Sequence, residues 1–419
     1  MTKFIHTADL HIDSPLRGLA MRDETMMRTV QRATRTALQR IIDLALKEQV
    51  AFVLIAGDLF DGEWKDMHSG QWAAGQFRRL EEAGIGVYYI RGNHDAVSQI
   101  QRKIRWPSNV VELPHDEPTT IVLEDLGVAI HGQGFADQKV EIDLAARYPE
   151  RINGMFNVGM LHTSLTGSEQ HDTYAPTSLE VLKSKGYDYW ALGHIHLRNA
   201  EPICVEPYVT YSGNPQGRHI REAGDKGCLI GEIEGESLKE VKFHSTDTLR
   251  WQELIVDVSN DTSLDGVLAK AGQAIQTQHT RHGGLSSAFR LTFSGATKVH
   301  EELSDLIRRA EIYQQIFAAA ESVDDEVWIE KIRFDTRPVE DAITRDAHEL
   351  WQAIAQQFDQ TQDDPEANQQ LQELVKPVLD KITAAHINLS EEGTLDQRLP
   401  QWMEAAKQLL RSRLGAQNS

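Results

Sequence analysis

The sequence is poor in cysteine, in long apolar runs and in basic charge. Two of its 419 residues are cysteines, Cys204 and Cys228, and their spacing matches no metal-binding pattern. No apolar stretch approaches the ~20 residues of a membrane span, and no apolar signal segment precedes the first strand-like run. These absences argue against a disulfide-stapled secreted scaffold and against a membrane protein. They predict a soluble protein of a reducing compartment, the cytoplasm.

The charge balance is acidic in both halves of the chain. There are 43 Lys and Arg against 63 Asp and Glu, a formal net charge of -20. Residues 251–419 contain 28 acidic and 16 basic residues, so they contribute -12 and residues 1–250 contribute -8. Such a balance argues against binding DNA by general charge attraction. However, carboxylates that hold divalent cations would reverse the local field. The acidic charge therefore makes a DNA substrate less favoured but does not exclude it.

Five short polar motifs each follow a run rich in Val, Ile, Leu or aromatic residues. Such runs are typical of buried strands, and the carboxyl ends of strands in an open α/β sheet meet at one crevice. We therefore expect the polar side chains to converge. The motifs are Asp9-Leu10-His11, Gly57-Asp58-Leu59-Phe60-Asp61, Gly92-Asn93-His94-Asp95, Gly159-Met160-Leu161-His162 and Gly193-His194-Ile195-His196.

The residue types in these motifs predict a metal centre. Mixed carboxylate and imidazole donors suit Mn, Fe or Zn better than Ca or Mg, and the lack of cysteine argues against a structural zinc site. The donors are too many for one ion, whereas two ions about 3.5 to 4 Å apart, sharing one carboxylate, would use them. Each motif alone is an ordinary turn. Together they predict a binuclear hydrolase for phosphoryl transfer.

In their order along the chain, the five motifs resemble the signature of the calcineurin-like metallophosphoesterase superfamily. The resemblance implies two divalent ions, with manganese favoured and magnesium, iron or zinc as alternatives. It implies that His94 acts beside the scissile phosphate as an acid or charge stabiliser and that Asp61 orients its ring. The implied ligands are Asp9, His11 and His196 for one ion, Asn93, His162 and His194 for the other, and Asp58 as the bridge.

A further segment, residues 211–219, narrows the resemblance. Its Gly, Asn and Pro content is that of a turn, and it closely follows the last metal motif. It is similar to the corresponding segment of the YhaO and SbcD-like DNA repair exonuclease branch. Arg218 and His219 within it, and Arg91 beside the third motif, are candidate substrate contacts. The basic stretch at residues 101–106, with an aromatic residue that looks exposed, is a weaker DNA-contact candidate and is more often a solvated helix face.

Apolar periodicity predicts alternating strands and helices over residues 1–250, with helices over 23–48 and 68–83. The resemblance implies an α/β architecture, a calcineurin-like two-sheet sandwich flanked by helices, for this region. Residues 251–337 are expected to form a small α+β capping domain, with a single helix over 300–320. Residues 338–419 are expected to form a helical C-terminal region in which Pro377 kinks one helix.

We predict a metal-dependent DNA exonuclease or endonuclease that acts in DNA repair. The apolar stripes of the C-terminal helices either pack on each other, the commoner case, or dock on an SMC-like coiled-coil ATPase, which the resemblance implies. The resemblance also implies a homodimer. Two alternatives stay open. A nucleotide phosphodiesterase or phosphoprotein phosphatase would need the same metals but no capping domain. A metal-bound scaffold would organise a complex without turnover, although this chain retains every ligand position.

Overall fold

The computed structural model describes most of the chain. The described residues are 1–14, 24–61, 67–96, 104–165, 174–259, 261–339, 345–384, 399–400, 402–404, 406–407 and 410. They form two compact units: the first comprises residues 1–254, 275–290 and 320–331, and the second comprises residues 255–274, 291–319 and 332–419. Among the described helices, none combines the length and the apolar character that crossing a bilayer requires.

The elements of the described chain follow the predicted alternation of strands and helices. The strands are β1 (Thr2–Thr7), β2 (Phe52–Ala56), β3 (Gly86–Ile90), β4 (Val110–Glu112), β5 (Thr119–Leu123), β6 (Val128–Gly132), β7 (Phe156–His162), β8 (Tyr189–Gly193), β9 (Tyr208–Tyr211), β10 (Gly227–Glu234), β11 (Ser237–Ser245), β12 (Leu249–Asp257), β13 (Ser286–Thr297) and β14 (Val327–Pro338). The helices are α1 (Glu24–Glu48), α2 (Met67–Glu82), α3 (Asn93–Ala96), α4 (Leu179–Ser184), α5 (Leu264–Arg281), α6 (His300–Ser304), α7 (Leu306–Glu321), α8 (Arg345–Asp363) and α9 (Pro365–Ala384).

Two sheets form a sandwich in the first unit. The six-stranded sheet has the order β11-β10-β1-β2-β3-β4 and the five-stranded sheet has the order β5-β6-β7-β8-β9. Strands β1 to β4 are parallel to one another, as are β6 to β9. Phe4, Phe52 and Leu54 from one sheet pack with Phe156 and Val158 from the other in a single buried cluster. The expected two-sheet sandwich is thus confirmed.

Helices cover the outer face of the six-stranded sheet. Successive residues of β2 point to opposite faces, so Phe52 faces the other sheet while Val53 faces helices α1 and α2. Both faces are buried, which explains why this strand is apolar throughout. Ile41 and Ala45, on the apolar face of α1, are fully buried in the cluster on this side of the sheet.

The basic stretch at residues 101–106 lies partly outside the described residues. The part that is described places Trp106 in the helix-side core, where its ring lies 5.5 Å from that of Phe77 and 6.5 Å from that of Phe60. The indole is therefore used for packing, and the expectation of an exposed aromatic that could stack on a base is wrong. An aromatic flanked by cations looks the same in the sequence whether its ring points outward or inward.

A third sheet with the order β12-β13-β14 follows. The single helix predicted over residues 300–320 is instead two helices, α6 and α7. They separate at Asp305, which has an extended backbone and accepts a hydrogen bond from the Ile307 amide at 2.8 Å. The carboxylate caps the second helix and so ends the first. In the second unit, the ring of Tyr313 on α7 packs 6.1 Å from that of Phe334 on β14.

The C-terminal helices are described in part. Pro377 lies inside helix α9, and the kink predicted there stays a prediction. Leu350 on α8 and Leu374 on α9 are largely exposed, while Trp351 is buried. The predicted helix after Pro400 lies mostly outside the described residues. The domain limits of 1–250, 251–337 and 338–419 stay predictions.

Candidate metal centre

The five polar motifs meet at one edge of the sandwich, where parallel strands end. The strand ladder continues into the motifs: the Asp9 amide donates to Gly57 O and the His11 amide donates to Asp58 O, both at 3.0 Å. In the other sheet the Thr163 amide donates to Gly193 O at 3.1 Å. Backbone pairing therefore fixes the residues that carry the polar side chains. This is the convergence that the strand-end positions predicted.

Backbone strain is concentrated among the predicted ligands. In the described chain, seven non-glycine residues have a positive φ, and four of them are predicted ligands. Each such residue costs about 1–3 kcal/mol and persists only where the surrounding structure imposes it. The four are Asp9 at 52°, His11 at 42°, Asp58 at 51° and His194 at 96°. The strain marks this edge as a functional site.

Two contacts tie the sheets together across the site. The carboxylate of Asp9 accepts from the His194 amide at 3.1 and 3.0 Å. The ring of His162 donates from Nδ1 to Ala56 O at 2.9 Å, because a carbonyl can only accept. Nδ1 therefore carries the proton when the ring is neutral, and Nε2 of His162 presents a lone pair to the site.

Among the described residues, three overlapping groups of donors have the spacing to hold an ion. They are Asp9 with His11 and His196, His11 with Asp58 and His94, and Asp9 with Asp58 and His162. Asn93 adjoins the last group, with Oδ1 3.0 Å from His162 Nε2. These contacts bring Asp9, His11, Asp58, Asn93, His162 and His196 together, and their role as metal ligands stays a prediction. The His194 ring lies 5.2 Å from the His162 ring and 5.0 Å from the Tyr174 ring, centroid to centroid.

The donor set fits divalent cations. Potential ligand atoms crowd together: Nε2 of His162 lies 3.4 Å from Asp58 Oδ2, and Nε2 of His11 lies 3.3 Å from Nε2 of His196. Acceptors at such distances repel unless positive charge lies between them, and ligand bonds of about 2.0–2.2 Å to a shared ion produce separations of this order. Nδ1 of His11 is buried without a hydrogen-bond partner. The residues present therefore fit bound metal.

The pKa values show the same demand for positive charge. Burial raises the pKa of a carboxyl, but for Asp58 it is outweighed by the charge and hydrogen bond of His162, and the pKa falls far below its ordinary value. Burial lowers the pKa of His162, yet Asp58 and Asp9 more than offset it and the pKa rises to about 9. A proton on His162 thus balances Asp58, a role that a divalent cation would take over.

His94 and Asp61 are adjacent, as predicted. Nδ1 of His94 lies 2.7 Å from Oδ1 of Asp61, and Ser14 Oγ donates to the other carboxylate oxygen at 2.8 Å. About a third of each side chain, 37% and 32%, is exposed. Burial lowers the pKa of His94, but Asp61 and Asp58 outweigh it, so the pKa is raised. The protonated ring is favoured at the rim of the site.

The three residues predicted to contact substrate already lie beside carboxylates of the protein. Arg91 forms an ion pair with Glu112 at 2.5 Å. Arg218 pairs with Glu222 at 3.2 Å, and Nε2 of His219 lies 3.5 Å from the same carboxylate. Arg218 also reaches the site, because its Nη2 lies 3.1 Å from Nδ1 of His196. Burial and then the charge of Arg218 lower the pKa of His11 to about 3. Their role as substrate contacts stays a prediction.

Two carboxylates of the site were not assigned from the sequence. Asp95 is buried and accepts hydrogen bonds from the amides of Leu59 and Phe60 at 3.1 and 3.0 Å, and from the Tyr89 hydroxyl at 2.6 Å. It joins the second motif to the third, and its place in the third motif was the available signal. The other is Glu222, which contacts His196 and belongs to no motif of the sequence analysis.

The glycine before Asn93 is expected to be irreplaceable. A Cβ at Gly92 would lie 2.2 Å from Asp58 Oδ1 and 2.8 Å from the Asp58 amide nitrogen. Gly92→Ala should therefore displace Asp58, lower the affinity for Mn²⁺ and reduce the free energy of unfolding by about 1–3 kcal/mol. Calorimetric Mn²⁺ titration and urea unfolding measure the two effects.

Gly75→Ala is the matched control for this variant. Gly75 lies within α2, and a Cβ there meets no atom within 4 Å. Alanine has the better helix propensity, so unfolding should cost about 0.5–1 kcal/mol more, with Mn²⁺ binding unchanged. Normal Mn²⁺ affinity in Gly92→Ala would show that Asp58 can move without loss.

Two family models match this chain. Residues 2–198 match the model described as calcineurin-like phosphoesterase. Residues 251–337 match the model described as metallophosphoesterase YhaO, middle domain. The first match covers the strand ends that carry the proposed ligands from Asp9 to His196.

Curated relatives match about three fifths of this chain. The uncharacterized metallophosphoesterase YhaO of Bacillus subtilis is 38% identical over 260 residues, 61% of this chain and 63% of that protein. The DNA double-strand break repair protein Mre11 of Methanopyrus kandleri is 23% identical over 285 residues, 62% of this chain and 60% of that protein. The matches thus span about three fifths of these relatives' length. A solved dimetal phosphatase from Danio rerio matches 55% of this chain and 92% of that chain at 11% identity, with a TM-score of 0.34, too low to add to the fold assignment.

Proposed function

This chain belongs, through residues 2–198, to the calcineurin-like metallophosphoesterase superfamily, and from that premise we propose that it is a two-metal phosphodiesterase that hydrolyses the DNA backbone in DNA repair. The observation that carries the proposal is the convergence of three donor groups. Asp9, His11 and Asp58 each belong to two of these groups. A metal-dependent hydrolase is what the family match implies. The finer statement, a DNA nuclease, is ours.

In this proposal the ions are manganese, and Asp58 lies between the two ligand sets. Bound together, two divalent ions would polarise the oxygens of the phosphoryl group and neutralise charge that develops on them. Buried carbonyls and carboxylates hold the imidazole rings, so little rearrangement is needed on binding. The proposed sets are Asp9, His11 and His196 for one ion and Asn93, His162 and His194 for the other.

His94 is the proposed proton donor to the departing oxygen. Asp61 holds its Nδ1 at 2.7 Å, which leaves Nε2 of the half-exposed ring to face the substrate. Arg218 and Arg91 are proposed to contact the phosphate backbone, and His219 to flank it. Each arginine already faces a carboxylate, Glu222 or Glu112. To contact the substrate, each arginine would have to share its charge with the carboxylate that it already faces. We therefore expect the arginines to supply a smaller part of the substrate binding energy.

DNA is the substrate that the relatives favour. The Mre11 proteins matched here are named for DNA double-strand break repair, and residues 251–337 match a domain that belongs to a metallophosphoesterase. We include in the proposal a homodimer, a cytoplasmic location and a coiled-coil ATPase partner. The exposed Leu350 and Leu374 on α8 and α9 are the support for a docking partner.

Hydrolysis of linear and hairpin DNA by the purified chain tests the proposal. Reactions contain Mn²⁺, Mg²⁺ or a chelator, with a bis-aryl phosphodiester as a second substrate. We expect DNA cleavage with Mn²⁺ and none with the chelator. Turnover of the aryl ester with intact DNA would redirect the proposal to a smaller phosphodiester or to a requirement for the ATPase. No turnover of either substrate, in protein that binds Mn²⁺, would favour a scaffold.

A further inference from the structure

We infer that Glu222 is a positioning residue for His196, and that it fixes the ring tautomer in which His196 can bind a cation. The inference rests on the proposed function, because it concerns a ligand of the proposed centre. Glu222 lies 26 residues after His196, outside all five polar motifs. The five motifs therefore did not predict a role for Glu222.

The contact itself defines the tautomer. Nδ1 of His196 lies 2.7 Å from Oε1 of Glu222, and an ionised carboxylate can only accept a hydrogen bond. Arg218 Nη2 lies 3.1 Å from the same Nδ1, but it also donates to Oε1 of Glu222 at 3.2 Å, so the shorter contact with the carboxylate favours the proton on Nδ1. Nε2 is left with a lone pair, and it points to Nε2 of His11 at 3.3 Å and to Oδ1 of Asp9 at 3.7 Å. This is the geometry in which a carboxylate behind a histidine makes it a better metal ligand.

The second oxygen of Glu222 is held in place by other donors. Oε2 accepts from the Arg218 amide at 2.7 Å and from Asn214 Nδ2 at 2.8 Å. The side chain is only 6% exposed. The Arg218 guanidinium pairs with Oε1 at 3.2 Å. This ion pair favours the ionised carboxylate, which cannot rotate without losing several bonds.

The surrounding loop also fixes the backbone of His196. The Lys226 ammonium donates to His196 O at 2.8 Å, and the Asn214 amide donates to the same oxygen at 3.3 Å. A Cβ at Gly217 would lie 2.7 Å from Glu222 O, so this close approach requires glycine. One loop therefore sets both the position of the ring and its tautomer.

The corresponding contact of His162 differs in charge. Its Nδ1 donates to the neutral carbonyl of Ala56, whereas His196 is backed by an anion. An anionic partner raises the basicity of the ligand more than a carbonyl does. The two proposed ion sites should therefore depend differently on Glu222. Its loss is expected to weaken the ion held by Asp9, His11 and His196 and to spare the other.

Glu222→Gln is the informative variant because its amide has one acceptor oxygen. Arg218 N at 2.7 Å and Asn214 Nδ2 at 2.8 Å donate to Oε2, whereas Arg218 Nη2 donates to Oε1 at the longer distance of 3.2 Å. The single oxygen should therefore stay with the two closer donors, and the NH₂ group should turn towards Nδ1 of His196. The ring would then take its proton on Nε2, the atom that should bind the ion. Glu222→Asp keeps the charge at greater distance and should recover part of the wild-type behaviour. Glu330→Gln is the matched control, since Glu330 is also 6% exposed and pairs with Arg290 at 2.6 Å.

Two measurements on the full chain test the inference. Nitrogen-15 NMR of the metal-free protein reports the tautomer of His196, assigned among the 17 histidines with His196→Gln. Mn²⁺ titration reports affinity. In Glu222→Gln we expect the proton to move to Nε2 and one class of Mn²⁺ sites to weaken about 10–100-fold. Glu330→Gln should change neither.

The outcomes separate this inference from the proposed function. If Glu222→Gln leaves the tautomer and Mn²⁺ affinity at wild-type values, the inference is overturned. It is also overturned if Glu222→Gln weakens Mn²⁺ binding as much in a His196→Gln background as in the wild type, since the effect would then not pass through His196. If the wild type binds no Mn²⁺ while the tautomer still depends on Glu222, the proposed metal function fails and the positioning role stands.

Discussion

Replacement of Asp58 with Asn is expected to abolish phosphodiester hydrolysis and to weaken the binding of both ions. Oδ2 of Asp58 lies 3.4 Å from His162 Nε2 and 3.8 Å from His11 Nε2, so it stands between the two proposed ligand sets. Asparagine removes the charge that both ions would share. We expect kcat/KM to fall at least about a thousand-fold, because several kcal/mol of transition-state stabilisation depend on the two metal ions. Metal content per chain and initial rates measure the effect.

A matched control is Asp247→Asn. Asp247 is fully buried and pairs with Arg250 at 2.8 Å, so its replacement also removes a buried charge. It should lower the free energy of unfolding while the metal content stays normal. The prediction for Asp58 fails if Asp58→Asn binds two equivalents of Mn²⁺ as tightly as the wild type. Loss of metal from both variants would trace the effect to general instability.

Apolar patterns in the sequence were sufficient to predict the alternating strands and helices and the meeting of the polar motifs, whereas the two-sheet arrangement was implied by the resemblance. Strand ends are informative because β2 and β8 are buried on both faces and apolar throughout. A polar residue directly after such a run must lie at the carboxyl end of its strand, where the ends of parallel strands meet. The convergence of Asp9, Asp58 and His162 then follows from parallel pairing. The positive φ of these turns was not predictable from composition, since Asp and His at strand ends adopt it only under tertiary constraint.

Side-chain partners across the fold were harder to predict. Glu222 contacts His196 because the loop after β9 folds back over the site. No periodicity or spacing in the sequence predicts this path of the loop. Trp106 was misjudged for the same reason: whether an aromatic points into the core depends on the helices that cover the sheet. The break between α6 and α7 depends on one capping bond from Asp305, which competes with a continuous apolar pattern.

His94→Gln is expected to leave both ions bound and to lower the rate of DNA hydrolysis by about 10²–10⁴-fold, the usual contribution of a general acid. The ring is a third exposed and is held by Asp61 at 2.7 Å, which suits a proton donor at the rim. Glutamine keeps a similar length but cannot release a proton. Single-turnover rates and Mn²⁺ titration of the same preparation measure the two effects. Asp61→Asn should give a smaller loss, because the ring remains but is no longer fixed.

The leaving group distinguishes the proposed role of His94 from metal binding. His94 also belongs to a donor group with His11 and Asp58, so the ring could serve as a ligand. If it is a proton donor, His94→Gln should affect an aryl phosphodiester much less than DNA, because an aryl oxide leaves without protonation. If it is a ligand, both substrates should suffer equally and Mn²⁺ affinity should fall. Equal losses with weakened Mn²⁺ binding would therefore move His94 from proton donor to ligand.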